Sequence, residues 1–252
     1  MKVLFLGTGT SVGVPMIACR CRVCLSGDPR NKRHRTSVLL RQGDAAVLID
    51  SGPEFRVQAL RFGIDRLDAV LYTHAHADHV MGFDDLRAFN MVHGRPVPVY
   101  GTPETLAELR RMFSYAFRPV QGGSSRPEVE LHEIRGPFSA AGVDFTPVPV
   151  WHGDMPVTGF RTGGLAYVTD VSRIPPESMA LLQGLEVLIL GALRHRPHPT
   201  HMTIAEALAV VERLRPRRAY FTHISHEIDH DEVDRQLPPH VRLAYDGLEI
   251  EV

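Results

Sequence analysis

The sequence has no surplus of charge, no long apolar run and almost no cysteine, and each shortage removes a class of protein. Its 28 Lys and Arg against 29 Asp and Glu leave a formal net charge of -1 over 252 residues, with no basic block. A polyanion finds no dedicated counter-charge here, so nucleic-acid binding is disfavoured as the main task. No apolar run approaches the roughly 20 residues that span a bilayer, and no membrane association is expected. Met1 to Leu6 is too short for the core of a secretory signal and runs straight into Gly7-Thr8-Gly9-Thr10 with no small-residue cleavage pattern. These features predict a cytoplasmic protein. There is no low-complexity tract and no repeat of solenoid period. The only three cysteines, Cys19, Cys21 and Cys24, fall within six residues. Disulfides are rare in the cytoplasm, so this crowding points to a metal.

What is present is an alternation of strand and helix patterns. Short β-rich apolar runs each stop abruptly at a polar residue: Ala46 to Ile49 before Asp50, Ala69 to Thr73 before His74, and Val148 to Trp151 before His152. Leu165 to Thr169 before Asp170 and Ala219 to Thr222 before His223 repeat the pattern. Each reads as a buried strand that delivers a functional residue at its end. Thr203 to Arg215 places Ile204, Ala207, Leu208, Val211 and Leu214 on one helical face, with Thr203 and Glu206 as a capping box. Pro103 to Phe113 reads as a second helix capped by Thr102. Strands alternating with helices over this length predict one layered α/β domain, residues 1–252. Arg118 to Glu128, with Gly122-Gly123-Ser124-Ser125, has loop composition and reads as a flap or a connector.

Thr73-His74-Ala75-His76-Ala77-Asp78-His79 is the densest chemical signal, three histidines and one aspartate in six residues directly after a predicted strand. While the chain is extended His74 and His76 project to one side; Asp78 and His79 follow as it turns. Neutral imidazole and carboxylate suit zinc and its first-row neighbours, and catalytic sites leave a position open for water. A solvated polar loop does not explain several ligand types gathered at a strand end.

This H-x-H-x-D-H motif, followed in order by His152, Asp170 and His223 at later strand ends, resembles the metallo-β-lactamase superfamily along the whole chain. The resemblance implies a four-layer αββα sandwich with two divalent ions, zinc or manganese, at the active site. It implies that His74, His76 and His152 hold one ion, that Asp78, His79 and His223 hold the other, and that Asp170 bridges them. Asp50, in Leu48-Ile49-Asp50-Ser51-Gly52, resembles the superfamily's early aspartate, which orients the histidine loop through hydrogen bonds and is not a ligand. Gly7-Thr8-Gly9-Thr10-Ser11, Cys19-x-Cys21-x-x-Cys24, Phe221-Thr222-His223-Ile224-Ser225-His226 and Tyr245-Asp246-Gly247 resemble a narrower branch. That branch contains the phosphoribosyl 1,2-cyclic phosphate phosphodiesterases of the carbon-phosphorus lyase pathway. The likeness implies a separate structural zinc on Cys19, Cys21, Cys24 and His226, and a homodimer.

His201-Met202-Thr203 with Glu206-Ala207 resembles the H-x-T-x-x-E-A motif of the phosphodiesterase branch, where the histidine assists phosphoryl chemistry. Standing just before a helix, His201 is expected where backbone N–H groups and the helix dipole favour a phosphate oxygen. His201, Asp78 and Asp50 are therefore the candidate catalytic side chains. His34, His93, His132, His195, His198, His230 and His240 match no motif, with His198 a candidate for lining the pocket. The expected activity is hydrolysis of a small phosphodiester, such as a cyclic ribose or nucleotide phosphate, by metal-activated water. Two related activities stay open. A tRNA 3'-processing endonuclease would carry a long basic arm that has no counterpart here, and a glyoxalase-II-like thioester hydrolase would lack the cysteine cluster and the His201 motif. A non-catalytic zinc scaffold would have no need of a complete ligand set. The strand Val187 to Leu190 ends in Gly191 where the related phosphodiesterases carry a larger polar residue, which leaves the substrate open.

Overall fold

Strands that are apolar on both faces need two surfaces to cover them, and the fold supplies both. A computed structural model describes residues 1–119 and 125–252. Its strands are β1 (Lys2–Gly7), β2 (Ser37–Gln42), β3 (Ala45–Ile49), β4 (Ala69–Leu71), β5 (Val97–Gly101), β6 (Val129–Glu133) and β7 (Phe138–Ala140). They continue as β8 (Val143–His152), β9 (Met155–Thr162), β10 (Leu165–Val168), β11 (Val187–Gly191), β12 (Arg218–Thr222), β13 (Val241–Leu243) and β14 (Glu249–Glu251). The helices are α1 (Arg22–Leu25), α2 (Phe55–Arg61), α3 (Ala77–Val80), α4 (Leu86–His93), α5 (Pro103–Met112), α6 (Pro176–Leu181), α7 (Ile204–Leu214) and α8 (His230–Asp234). Among the described residues the strands form two seven-stranded sheets, ordered β14-β1-β2-β3-β4-β5-β6 and β13-β12-β11-β10-β9-β8-β7. Each sheet begins with antiparallel hairpin pairs and ends with parallel ones, from β3 to β6 and from β10 to β13.

The two-residue period of a strand decides which layer each side chain enters. Along β3, Val47 and Ile49 join Val3, Phe5, Phe145, Phe160, Tyr167 and Ile189 between the sheets, while Ala46 and Leu48 join Phe55, Leu86 and Leu106 under the helices. Along β11, Val187 and Ile189 enter the inter-sheet layer and Leu188 and Leu190 pack with Met179, Ala207 and Val211. The result is helix, sheet, sheet, helix, the αββα sandwich that was expected.

All five apolar runs are strands, but β8 begins at Val143, earlier than the run at Val148 suggests. Pro147 and Pro149 interrupt its pattern. They are tolerated because β7 pairs only with Val143 to Phe145 and the next backbone partner on that side is Arg173 at Trp151, so Pro147 and Pro149 have no ladder bond to lose there. Both predicted helix starts hold: Thr203 Oγ1 accepts from Glu206 N at 3.1 Å, Glu206 Oε2 accepts from Thr203 N at 2.8 Å, and Thr102 Oγ1 accepts from Thr105 N at 3.2 Å. The flap or connector read over Arg118 to Glu128 falls in part on residues 120–124, which lie outside the described residues. Among the described residues no helix is long and apolar enough to cross a membrane.

Phe145 is 2% exposed in the inter-sheet layer, with the rings of Phe138 and Phe160 at 5.5 and 6.4 Å. Phe145→Ala should destabilise the fold by about 3–5 kcal/mol, read as a lower denaturant midpoint; an unmoved midpoint would contradict this packing.

Candidate metal centre and active site

The polar residues that end the strands gather at one edge of the sandwich, because parallel strands place their C-terminal ends together. Asp50 follows β3, Asp170 follows β10 and His223 follows β12, and all three take left-handed backbone angles, with φ of 62°, 50° and 58°. For residues other than glycine that conformation costs about 1–3 kcal/mol each. Neighbouring bonds hold it: Asp50 N donates to Leu71 O and Ala192 N donates to Thr222 O, both at 2.9 Å.

Asp50 organises the histidine loop. Its carboxylate is fully buried, accepting from Thr73 N and Thr73 Oγ1 at 2.9 Å and from His79 Nδ1 at 2.7 Å. It thus grips the loop at both ends. Gly52 permits the loop to lie against this segment, since an added Cβ would sit 2.4 Å from the Asp78 carbonyl oxygen.

Six of the seven expected ligand residues are buried, the exception being His76. His79 Nε2 lies 3.3 Å from Asp78 Oδ2 and 3.2 Å from Asp170 Oδ2; His223 Nε2 lies 3.3 Å from Asp170 Oδ1 and 3.7 Å from Asp78 Oδ2. One donor atom from each of these four residues lies within 4.8 Å of the others. Beside them the rings of His74 and His76 are 4.6 Å apart, those of His76 and His152 5.3 Å, and those of His74 and His152 5.8 Å. Asp170 also groups with His152 and His201 within the same 4.8 Å limit. It therefore stands between Asp78, His79 and His223 on one side and His152 with His201 on the other.

Several ring nitrogens here have nothing to bind in the protein. His74 Nε2, His79 Nε2 and both nitrogens of His223 are buried without a hydrogen-bond partner, although some lie near carboxylates at unsuitable angles. An unpaired buried polar group costs about 1–3 kcal/mol. Several converging beside carboxylates make a donor set that fits divalent cations. The electrostatics agree. Burial alone would raise Asp78 and Asp170, but His79 beside the first and His223 and His79 beside the second hold both below the usual carboxylate range. Burial would lower His79, yet Asp170, Asp50 and Asp78 push it well above its ordinary value.

His201 stacks on His223 with centroids 4.7 Å apart, meets His152 edge-on at 4.5 Å, and places Nδ1 3.9 Å from Asp170 Oδ1. Burial, reinforced by His223, pushes it down to about 3. Most of the N–H groups at the start of α7, where help for a phosphate was expected, are already bonded within the protein. Thr203 N is taken by Glu206, Ile204 N donates to Arg194 O at 3.0 Å, Glu206 N to Thr203 Oγ1, and Ala207 N to Thr203 O at 3.0 Å. A capping box and an anion site compete for the same donors, and here the box holds those of Thr203 and Glu206. Thr73 and Thr200 escaped the sequence reading. Thr73 adjoins His74, which is a signal of sorts; the Thr200 carbonyl, accepting from His152 Nδ1 at 2.8 Å, left none. Gly191 packs against the Asp170 segment, where an added Cβ would meet Asp170 N at 3.2 Å.

The second cluster joins the N-terminal loop to the segment after β12. Cys19 Sγ and Cys21 Sγ each lie 3.4 Å from His226 Nδ1, and with Cys24 the four donors fall within 4.8 Å of one another. Four converging S and N donors match a closed tetrahedral zinc site. The Cys24 backbone N–H, then His226, lower Cys21 to about 6, while burial raises Cys24 to about 11. The loop is pinned there by Ile224 N donating to Thr8 O at 2.8 Å.

A four-layer sandwich with a histidine and aspartate cluster on its edge defines a protein of the metallo-β-lactamase class. The family model for the β-lactamase superfamily domain matches residues 45–224, and the chain belongs to that family. It is similar to the crystal structure of a new diphosphatase from the PhnP family, at 45% identity and TM-score 0.93, over 100% of this chain and 97% of that one. An octanoyltransferase from Porphyromonas gingivalis is 40% identical over 99% of this chain and 51% of its own length, so the chain spans about half of that relative. A ribonuclease Z from Methanopyrus kandleri is 27% identical over 98% of this chain and 96% of its own. The superfamily resemblance read from the motifs is borne out, and the fold family implies divalent metals.

The cysteine cluster yields a direct test. The purified protein should retain one ion per chain through mild chelation, and Cys21→Ser should lose it together with some folding stability. Once the ion is stripped, iodoacetamide at pH 7 should modify Cys21 first and Cys24 last. A full metal complement in Cys21→Ser would rule the site out, and uniform alkylation would contradict the ordering of the thiols.

Proposed function

We propose that the protein is a metal-dependent phosphodiesterase that hydrolyses a small phosphodiester, a cyclic ribose or nucleotide phosphate being the best fit. The observation that carries the proposal is Asp170, whose carboxylate belongs to two groups of metal-type donors, one with Asp78, His79 and His223 and one with His152 and His201, while the His201 ring stacks on His223. In this reading His74, His76 and His152 would hold one divalent ion, Asp78, His79 and His223 the other, with Asp170 common to both. The ions when bound would supply Lewis acidity toward phosphoryl oxygens and lower the pKa of water. The chain's own residues do the rest. Asp50 holds His79 by Nδ1 and the Thr200 carbonyl holds His152 by Nδ1, so each ring offers Nε2 to the cluster. His201 faces the reacting phosphate, where the N–H of the neutral ring binds a phosphoryl oxygen; it can protonate the departing alkoxide only where the negative charge of the phosphate offsets the burial that lowers its pKa.

A small substrate agrees with the net charge of -1, which gives a long polyanion little to hold. The likeness to a PhnP-family diphosphatase favours a second reading, cleavage of a substituted diphosphate by the same residues. Acyl transfer is not adopted, since the octanoyltransferase that matches is about twice this chain's length. A turnover panel with added zinc or manganese separates the readings: an aryl phosphodiester, a 2',3'-cyclic nucleotide, a dinucleoside diphosphate, precursor tRNA and a glutathione thioester. Turnover confined to the tRNA or the thioester would sink the proposal. His76→Ala and Asp78→Ala should abolish turnover while circular dichroism shows the fold intact.

His201→Ala should keep its metals, because in this reading His201 ligates neither. It should lower kcat on an unactivated diester by roughly a hundredfold, the scale of a lost positioned acid. A much smaller loss on an aryl diester identifies proton donation to the leaving group, and equal losses identify phosphoryl binding. Loss of a metal from the variant would instead make His201 a ligand.

A further inference from the structure

Thr200 sits between two histidines and bonds to both in opposite senses. Its carbonyl oxygen accepts from His152 Nδ1 at 2.8 Å, so His152 carries its proton on Nδ1 and offers a lone pair at Nε2. On its other side, the Thr200 N–H donates to His198 Nδ1 at 3.3 Å, and Thr200 Oγ1 lies 3.2 Å from the same nitrogen. A backbone N–H can only donate, so His198 Nδ1 must be the acceptor and the neutral ring carries its proton on Nε2. One residue thus makes His152 an acceptor at the cluster and His198 a donor beside it.

The loop that carries His198 is held rigidly. Arg194 Nη1 and Arg196 Nη2 donate to Glu227 Oε1 at 2.9 and 2.8 Å, Arg196 Nε donates to Glu227 Oε2 at 2.9 Å, and Arg194 Nη2 donates to Pro197 O at 3.1 Å. Thr200 is wedged against the β8–β9 turn, where a Cβ on Gly153 would come within 2.9 Å of its Cγ2. The His198 ring lies 5.1 Å from that of His201 and is partly exposed, whereas His152 and His223, the other rings against His201, are buried. His198 therefore flanks His201 on its solvent side.

We infer that His198 is a substrate-binding residue whose Nε2–H donates to a phosphoryl oxygen, and that Thr200 is the positioning residue that fixes its tautomer. This rests on the phosphodiesterase reading above. A donor fixed before binding loses little freedom on contact and contributes mainly to holding the substrate. The competing explanation is that His198 merely closes its own turn onto Thr200.

The test uses the zinc-loaded full chain with bis(4-nitrophenyl) phosphate as substrate. His198→Ala should raise KM by about tenfold, the scale of one lost hydrogen bond to a charged group, with kcat within about twofold and metal content unchanged. His198→Gln, whose amide N–H reaches the Nε2 position, should restore most of the loss. An unchanged KM, or failure of the Gln variant to improve on Ala, overturns the assignment. A parent that turns over no phosphodiester would fail the functional reading, and 15N NMR would then decide His198 alone. An Nε2–H tautomer whose signal moves on adding inorganic phosphate supports the inference; an Nδ1–H tautomer, or a signal that does not move, overturns it.

Discussion

The hydrogen bond from His79 Nδ1 to Asp50, 2.7 Å long and wholly buried, is the contact on which the rest of the site depends. Asp50 comes from the end of β3 and His79 from the far end of the histidine loop, so the bond fixes the loop against the sheet. The same carboxylate takes both donors of Thr73 at the loop's start. With both ends clamped, the residues between have little choice of path. Tyr72 and Ser51, bonded at 2.6 Å beneath the loop, seal the arrangement from below. Burial pushes Asp50 above the usual carboxylate range, and the bonds from His79 and Thr73 work against that rise. Removing any one partner would leave a buried acid short of donors, which is more costly than the bond itself.

A second constraint reaches the site from the opposite side. The cysteine cluster holds the N-terminal loop to His226, and Glu227, the next residue, anchors Arg194 and Arg196. Those arginines belong to the loop that delivers His198, Thr200 and His201. Geometry at the cysteines is thus transmitted to the histidines through one carboxylate. A fully buried Arg33 strengthens the same corner by donating to Thr8 Oγ1 at 2.7 Å, Ala244 O at 2.6 Å and His230 Nδ1 at 2.9 Å. The N-terminal loop is therefore fastened to two C-terminal segments by polar contacts that an apolar core could not supply with the same directionality.

The sequence made the layered fold legible because its signals are local. Apolar runs ending in Asp50, His74, Asp170 and His223 announce strand ends, and Thr203 with Glu206 announces a helix start, whatever the tertiary context. The ligand-type residues were legible for the same reason, together with their likeness to a known motif. What escaped depends on distant partners. Thr200 matters because residues 152 and 198 meet across it, a juxtaposition of separate segments that no spacing encodes. Arg33 and His230 looked like ordinary polar residues until the N- and C-terminal segments packed together. The start of α7 carries a related lesson: the motif that predicts the cap also predicts that the N–H groups of Thr203 and Glu206 are taken by it, which leaves fewer donors for an anion. β8 was legible in half its length, since prolines tolerated where it has a partner on one side only also mask its alternation.

Fixing one ring nitrogen of a histidine decides what the other can do, and the site uses that rule repeatedly. His79 is fixed by a carboxylate and His152 by a backbone carbonyl; both accept the ring proton and turn a lone pair toward the cluster. His74 is bonded through Nδ1 to the Thr73 hydroxyl at 3.0 Å, leaving Nε2 buried and unpartnered. Without a cation, the carboxylates of Asp170, Asp50 and Asp78 instead favour a second proton on His79. A divalent ion held by His79 would need the neutral ring, so metal loading would weaken as the pH falls. The apolar layers between and outside the sheets do not take part in that exchange. The fold can therefore stay constant while the charge at its edge changes hands.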